Sequence, residues 1–166
     1  KELIPRLIKE NHEICIVSRK NIDQLQIKNS LSMINFLKLD ATNEKNWSNE
    51  NLIKKLKDSD GIINLIGEPI ADKRWTKSHC EVIRNSRINT TKYLNDAMKK
   101  LKQPPKILIT ASAIGCYGTS RTSIFNESSN FGNDFLSNLC KDWEAQALCK
   151  PKATKLVIIR IGIILG

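Results

Sequence analysis

Glycine, proline, aromatic residues and long apolar runs are all scarce in this sequence of 166 residues, and each scarcity closes a class of protein. With 7 Gly, 5 Pro and no internal repeat, collagen-like, mucin-like and coiled-coil compositions are excluded. The longest apolar stretch, Leu156 to Leu165, is interrupted by Arg160 and falls well short of the roughly 18–20 residues that cross a bilayer, so no membrane-spanning helix is expected. Cys15, Cys80, Cys116, Cys140 and Cys149 form an odd set without a CxxC pair. That pattern predicts reduced thiols in a cytoplasmic protein rather than a disulfide framework. His12 and His79 lack ligand spacing to those cysteines, so no metal site is expected.

What is present is 40% hydrophobic and 27% charged content, enough for one globular domain at the usual 100–200 or so residues per domain. The apolar residues arrive in bursts such as Ile14 to Val17 and Leu156 to Ile159, which speaks against disorder. The net charge of +10 raises nucleic acid as a partner. However, the Lys-dominated basic residues are spread along the whole chain and aromatics reach only 5%, whereas a nucleic-acid surface concentrates cations and interleaves exposed rings. Nucleic acid is therefore not the expected partner.

Helical and strand patterns alternate. Helices are expected over Glu2 to Glu10, Asn49 to Lys57, Ser78 to Leu101 and Asp134 to Cys149. Strands are expected over Glu13 to Ser18, Met33 to Leu39, Gly61 to Ile66, Lys106 to Ala111 and Lys155 to Ile161. In the long third helix Val82, Ile83, Ile88, Leu94, Ala97, Met98 and Leu101 share one face, and Pro104-Pro105 stops the following turn. Continuous apolar strands separated by helices indicate an α/β fold with a doubly wound parallel sheet of Rossmann type.

In such a sheet ligands sit beyond the carboxyl ends of the strands. Ser18-Arg19-Lys20 follows the first strand, where an acidic residue would suit the ribose hydroxyls of NAD and a basic one the 2′-phosphate of NADP; a solvated basic turn is the alternative. Asp40 follows the second strand and either accepts from an adenine amino group or starts an Asx turn. Gly67 follows the third and permits close backbone approach to a ligand. Ser112 and Tyr117 follow the fourth, a hydroxyl pair able to polarise a carbonyl and pass a proton. Trp75 and Trp143 read as packing anchors, and Arg84 and Arg87 as surface charges rather than phosphate ligands. Asp72-Lys73-Arg74 reads as a solvated loop, and Cys116 as small-residue packing.

Five segments together resemble the extended short-chain dehydrogenase/reductases, and within them the atypical "epimerase family" group of nucleoside-diphosphate-sugar epimerases. They are Ile63-Asn-Leu-Ile-Gly-Glu-Pro-Ile-Ala-Asp-Lys-Arg-Trp-Thr76, Ile83-Arg-Asn-Ser-Arg87 with Thr90, Ala111-Ser-Ala-Ile-Gly-Cys-Tyr-Gly118, Phe135-Leu-Ser-Asn-Leu-Cys-Lys-Asp-Trp-Glu144 and Arg160-Ile-Gly-Ile-Ile-Leu-Gly166. The resemblance implies NADP(H) binding, with NAD(H) as the alternative: Arg19 near the 2′-phosphate, Asp40 near adenine, and Leu65, Ile66 and Gly67 along the adenosine ribose and pyrophosphate. It implies a small-molecule substrate such as a nucleotide sugar, with Glu68 or Arg74 orienting it, and a homodimer through the long helices. It also implies a partial domain over residues 1–166. The Gly-rich first strand and turn would precede Lys1, a substrate region would follow Gly166, and the isolated segment would be weakly stable.

The same resemblance exposes a departure. The superfamily's Tyr-x-x-x-Lys pair, counted back from Glu144, falls on Leu136 and Cys140, neither of which can move the proton. Lys141 is one residue along and turned about 100° away on a helix. Two functions follow as expectations. One is an epimerase or oxidoreductase that uses Tyr117 with support from Ser112. The other is a dinucleotide-binding regulatory module without chemistry.

Overall fold

The computed structural model describes residues 3–21 and 34–163, which divide after Lys55 into two compact units. In the first unit, helix α1 (Leu3–Lys9) precedes strand β1 (Ile14–Ser18), and β1 pairs in parallel with β2 (Ile34–Lys38). The register runs from Ile14 opposite Ile34 to Ser18 opposite Lys38, and the Leu39 amide donates to Ser18 O at 2.9 Å. Both strands therefore end level, with Arg19 and Asp40 just beyond. A short 3-10 turn (Glu44–Ser48), capped by the Asn43 side chain, was not legible in the sequence. Trp47 within it donates from Nε1 to Ala41 O at 2.9 Å and closes the loop after β2. Asn49 accepts from the Leu52 amide and starts α2 (Glu50–Asp58), as its position ahead of Leu52 and Leu56 suggests.

The second unit is built around three parallel strands, β3 (Gly61–Asn64), β4 (Ile107–Ala113) and β5 (Lys155–Ile161), in the order β3-β4-β5. The connections are α3 (Lys77–Lys99) and α4 (Phe135–Leu148), the helical crossovers that parallel neighbours require. β4 lies between two partners, and its Leu108, Thr110, Ala111 and Ser112 are buried. The sheet of each unit is wholly parallel, β1-β2 in the first and β3-β4-β5 in the second, as in a doubly wound fold.

Several boundaries differ from the sequence reading. The third strand stops at Asn64, not Ile66, because the Asn64 side chain accepts from the Ile66 amide at 3.2 Å and turns the chain out of the ladder. The fourth runs two residues further, so Ser112 lies on the strand opposite Arg160 of β5. On α3, Val82 is 50% exposed rather than buried, while Ser86, Thr90, Thr91 and Asn95 take inward positions beside Ile83, Leu94 and Met98. That polar inward face is one the apolar periodicity could not reveal. The expected start of the first helix at Glu2, the start of β2 at Met33 and the end of the last motif at Ile164 to Gly166 lie outside the described residues.

Candidate functional site

In the first unit the residues after the two strand ends form a polar corner. Asp40 Oδ1 accepts from both the amide of Thr42 (2.9 Å) and its hydroxyl (2.7 Å), so the Asx-turn reading is realised. Burial works to raise the Asp40 carboxyl, but the two Thr42 bonds and the nearby Arg19 charge outweigh it and hold it below the ordinary carboxylate range. Arg19 is thus electrostatically engaged with Asp40 at the carboxyl ends of β1 and β2.

In the second unit, α4 presents Leu136, Cys140 and Glu144 on one stripe at i, i+4 spacing toward the end of β4. Leu136 lies against the 3-10 turn Ile114–Tyr117, with its Cβ 3.6 Å from where a side chain on Gly115 would begin. Cys140 is buried beside the Ser112 hydroxyl and the Ala113 amide; burial pushes its thiol up, which makes it an inert packing group. Burial likewise raises the Cys116 thiol. All five cysteines are free.

Glu144 anchors a network that the sequence motifs contained but did not connect. Register places Ser112 and Arg160 side by side on one face of the sheet, and Glu144 reaches down to both. Ser112 Oγ donates to Glu144 Oε1 at 2.6 Å, while Arg160 closes a fork on the carboxylate through Nε (3.0 Å) and Nη2 (2.9 Å). The remaining nitrogen, Nη1, donates to the Tyr117 hydroxyl (2.9 Å) and to Glu127 O (3.0 Å). The bonds to Glu144 are the main reason the Arg160 guanidinium is held even more firmly charged than usual. Tyr117 is stacked on Phe125 with centroids 5.2 Å apart and planes at 4°.

Ser112 and Tyr117 are therefore brought into one network, as their spacing suggested. The single Ser112 proton is spent on Glu144, however, and the Tyr117 hydroxyl accepts a bond from a cation. Chemically, this arrangement leaves the phenol as the group able to give or take a proton, with Arg160 stabilising negative charge on its oxygen.

The loop between β3 and α3 holds the other candidates. The Glu68 amide donates to Ser86 Oγ at 2.9 Å, and the exposed to half-buried Leu65, Ile66 and Gly67 lie just upstream. Arg74 lies in the exposed stretch 71–78. Trp75 corrects the sequence reading: it is 46% exposed, donates to Ile70 O at 2.7 Å and meets Phe135 edge-on, so it clips this loop to α4 rather than filling a core. Trp143 is the true anchor, buried and donating to Thr91 Oγ1 at 3.0 Å.

Arg84 and Arg87 part company. Arg84 is an exposed ion pair with Asp142 at 2.6 Å, as a surface charge should be. Arg87 turns inward, donating from Nη1 to Glu68 O (3.0 Å) and Ile83 O (3.1 Å), with its guanidinium 5.4 Å from the Trp143 ring centroid. A side chain on Gly67 would come within 2.8 Å of Arg87 Cζ. The glycine is required by this arginine. No feature of the sequence marked Arg87 as the inward member of the pair.

Known proteins agree with this construction. A crystal structure of human epimerase family protein SDR39U1 (isoform2) with NADPH matches at a TM-score of 0.76 and 30% sequence identity, covering 99% of this chain and 50% of that one. UDP-glucuronic acid 4-epimerase from Bacillus cereus in complex with NAD matches at a TM-score of 0.71 but 19% identity, which speaks for the fold alone. The Arabidopsis thaliana epimerase family protein SDR39U1 homolog, chloroplastic, is 33% identical over 168 residues, spanning 100% of this chain and 46% of the relative. Epimerase family protein SSP1921 of Staphylococcus saprophyticus is 31% identical over 99% of this chain and 51% of its own length. The chain thus spans about half the length of these curated relatives. Among the described residues no helix is long and apolar enough to cross a membrane. Parallel strands with helical crossovers and a family match over residues 1–166 converge: the chain belongs to the NAD dependent epimerase/dehydratase family.

Proposed function

We propose that this chain is the dinucleotide-binding part of an NADP(H)-dependent epimerase or oxidoreductase acting on a small molecule of the nucleotide-sugar class. The observation that carries the cofactor choice is Arg19, a cation rather than a carboxylate at the carboxyl end of β1, electrostatically coupled to Asp40. The corner suits an adenosine 2′-phosphate, with Asp40 at the adenine side. When bound, the nicotinamide supplies hydride transfer. This chain's own part would be to orient the dinucleotide and, through Tyr117, to give or take a proton while Arg160 balances charge on the phenol oxygen. Glu68 or Arg74 would orient the substrate. Five free thiols fit a reducing compartment such as the cytoplasm.

The test is cofactor binding by the full-length protein. NADPH is expected to bind about tenfold or more tightly than NADH, and Arg19→Ala to erase that difference, in line with the 1.4 or so kcal/mol per decade that one charge-assisted phosphate contact supplies. An unchanged preference in Arg19→Ala would reject the NADP assignment. A second reading, binding without catalysis, is favoured by one observation: the Ser112 proton is committed to Glu144, and Leu136 and Cys140 supply no proton donor beside it. It predicts saturable NADPH binding with no hydride exchange over a panel of carbonyls and sugar nucleotides. Tyr117→Phe separates the readings, since it abolishes turnover under the first and changes nothing measurable under the second.

A further inference from the structure

Arg87 is unlike the other well-placed arginines of its unit. Arg84 is paired with Asp142 and Arg160 with Glu144 in direct salt bridges, whereas Arg87 donates only to main-chain carbonyls and feels the Glu68 carboxylate through space without a hydrogen bond to it. Those two bonds both leave from Nη1. Nε and Nη2, the edge that forms a two-point fork with an oxyanion, have no acceptor among the described residues. The guanidinium is half-buried, and burial lowers its pKa by more than the nearby Glu68 carboxylate offsets, a desolvation cost that a bound anion would reduce.

The group is also held in place rather than waving in solvent. The Trp143 ring lies 5.4 Å from its Cζ, the carbonyls of Glu68 and Ile83 fix Nη1, and Gly67 passes against it with no side chain to cover it. Trp143 is itself tied to Thr91, and Thr91 to Asn64 at the end of β3. The fork is thus mounted at the carboxyl end of the sheet, where ligands of this fold class sit. It also lies within electrostatic range of the Cys140 side chain, so a cation from α3 stands near the α4 position where a lysine is missing.

We infer that the Nε and Nη2 edge of Arg87 is a phosphate-binding fork, taking a phosphate of the dinucleotide or of a nucleoside-diphosphate substrate. This rests on the proposed function for the identity of the ligand, and the test separates the two. In the full-length protein, phenylglyoxal modification of each arginine is followed by mass spectrometry without ligand, with NADPH, and with UDP. Arg87 is expected to react in the free protein and to be protected about tenfold by one of the two ligands, NADPH identifying the cofactor and UDP the substrate as the source. Arg19 is the internal control. If NADPH protects Arg19 while neither ligand protects Arg87, the fork is overturned and the cofactor reading stands. If NADPH protects neither, the cofactor reading fails and the UDP arm alone decides Arg87. An Arg87 that does not react in the free protein also overturns the inference, because the edge is then closed. Arg87→Lys keeps charge and stem but not the fork. It should weaken the protecting ligand about tenfold with the melting temperature maintained, and unchanged affinity would reject the fork.

Discussion

At the scale of single residues, the clearest dependence is between Gly67 and Arg87. Gly67→Ala places a methyl 2.8 Å from a guanidinium carbon that is pinned by two carbonyls, so the arginine must move. The expected loss is about 1–3 kcal/mol, the usual range for overpacking. Calorimetric or denaturant unfolding of Gly67→Ala, Arg87→Ala and the double variant should show non-additivity, the second change costing less once the first is made. Additive losses would mean that the two residues do not share this space. The sequence singled out Gly67 for the approach of a ligand but could not show the arginine, because the contact joins positions 20 residues apart, Gly67 and Arg87. Glu144 is a second such case. It was visible as part of a motif, yet its role depends on register between β4 and β5, which places Ser112 beside Arg160. Glu144→Ala should cost about 3–5 kcal/mol, since it strands a largely buried guanidinium, and a loss below about 1 kcal/mol in denaturant melts would show the pair to be solvated.

At the scale of elements, α4 carries both a stop-start signal that was legible and a face that was not. Asp134 ahead of Phe135 was readable as a helix start, and its carboxylate accepts from the Ser137 amide at 2.8 Å and hydroxyl at 2.9 Å. Those bonds, the amide first, hold the Asp134 carboxyl below its ordinary value. A depressed carboxyl stabilises the fold above its unfolded pKa near 3.9 or so, and the benefit disappears as pH falls through the lower folded value. Asp134→Ala should therefore lose about 1 kcal/mol at pH 7, with the gap to the unmodified protein narrowing at a pH below that unfolded value. Thermal melts at the two pH values check this, and a gap that persists in acid would remove the carboxylate from the explanation. The face of α3 was harder to read. Its inward Ser86, Thr90, Thr91 and Asn95 break the apolar period, and three of them are tolerated because Thr91, Ser86 and Asn95 bond across to Trp143, Glu68 and Gln146.

At the scale of the whole molecule, alternating apolar bursts and helical periods were enough to give parallel α/β topology, because the strands are short and apolar and helices α3 and α4 separate β3, β4 and β5. What pattern alone could not supply was the unequal anchoring of the two units. No residue of α1 or β1 is buried, whereas β4 contributes four buried residues in succession or alternation from Leu108 to Ser112. Amide hydrogen exchange on this chain should accordingly find β1 opening at least about tenfold more often than β4. Equal protection would show that β1 is supported by more than its own burial. The three tryptophans add an optical consequence. Trp47 reports the first unit, while Trp75 and Trp143 report the second, one nearly half exposed and the other sealed. An aqueous quencher such as iodide should silence Trp75 and spare Trp143, so the protected emission includes that of an indole that faces Arg87. Anything that draws on that guanidinium then changes the colour or yield of light from a ring it never touches.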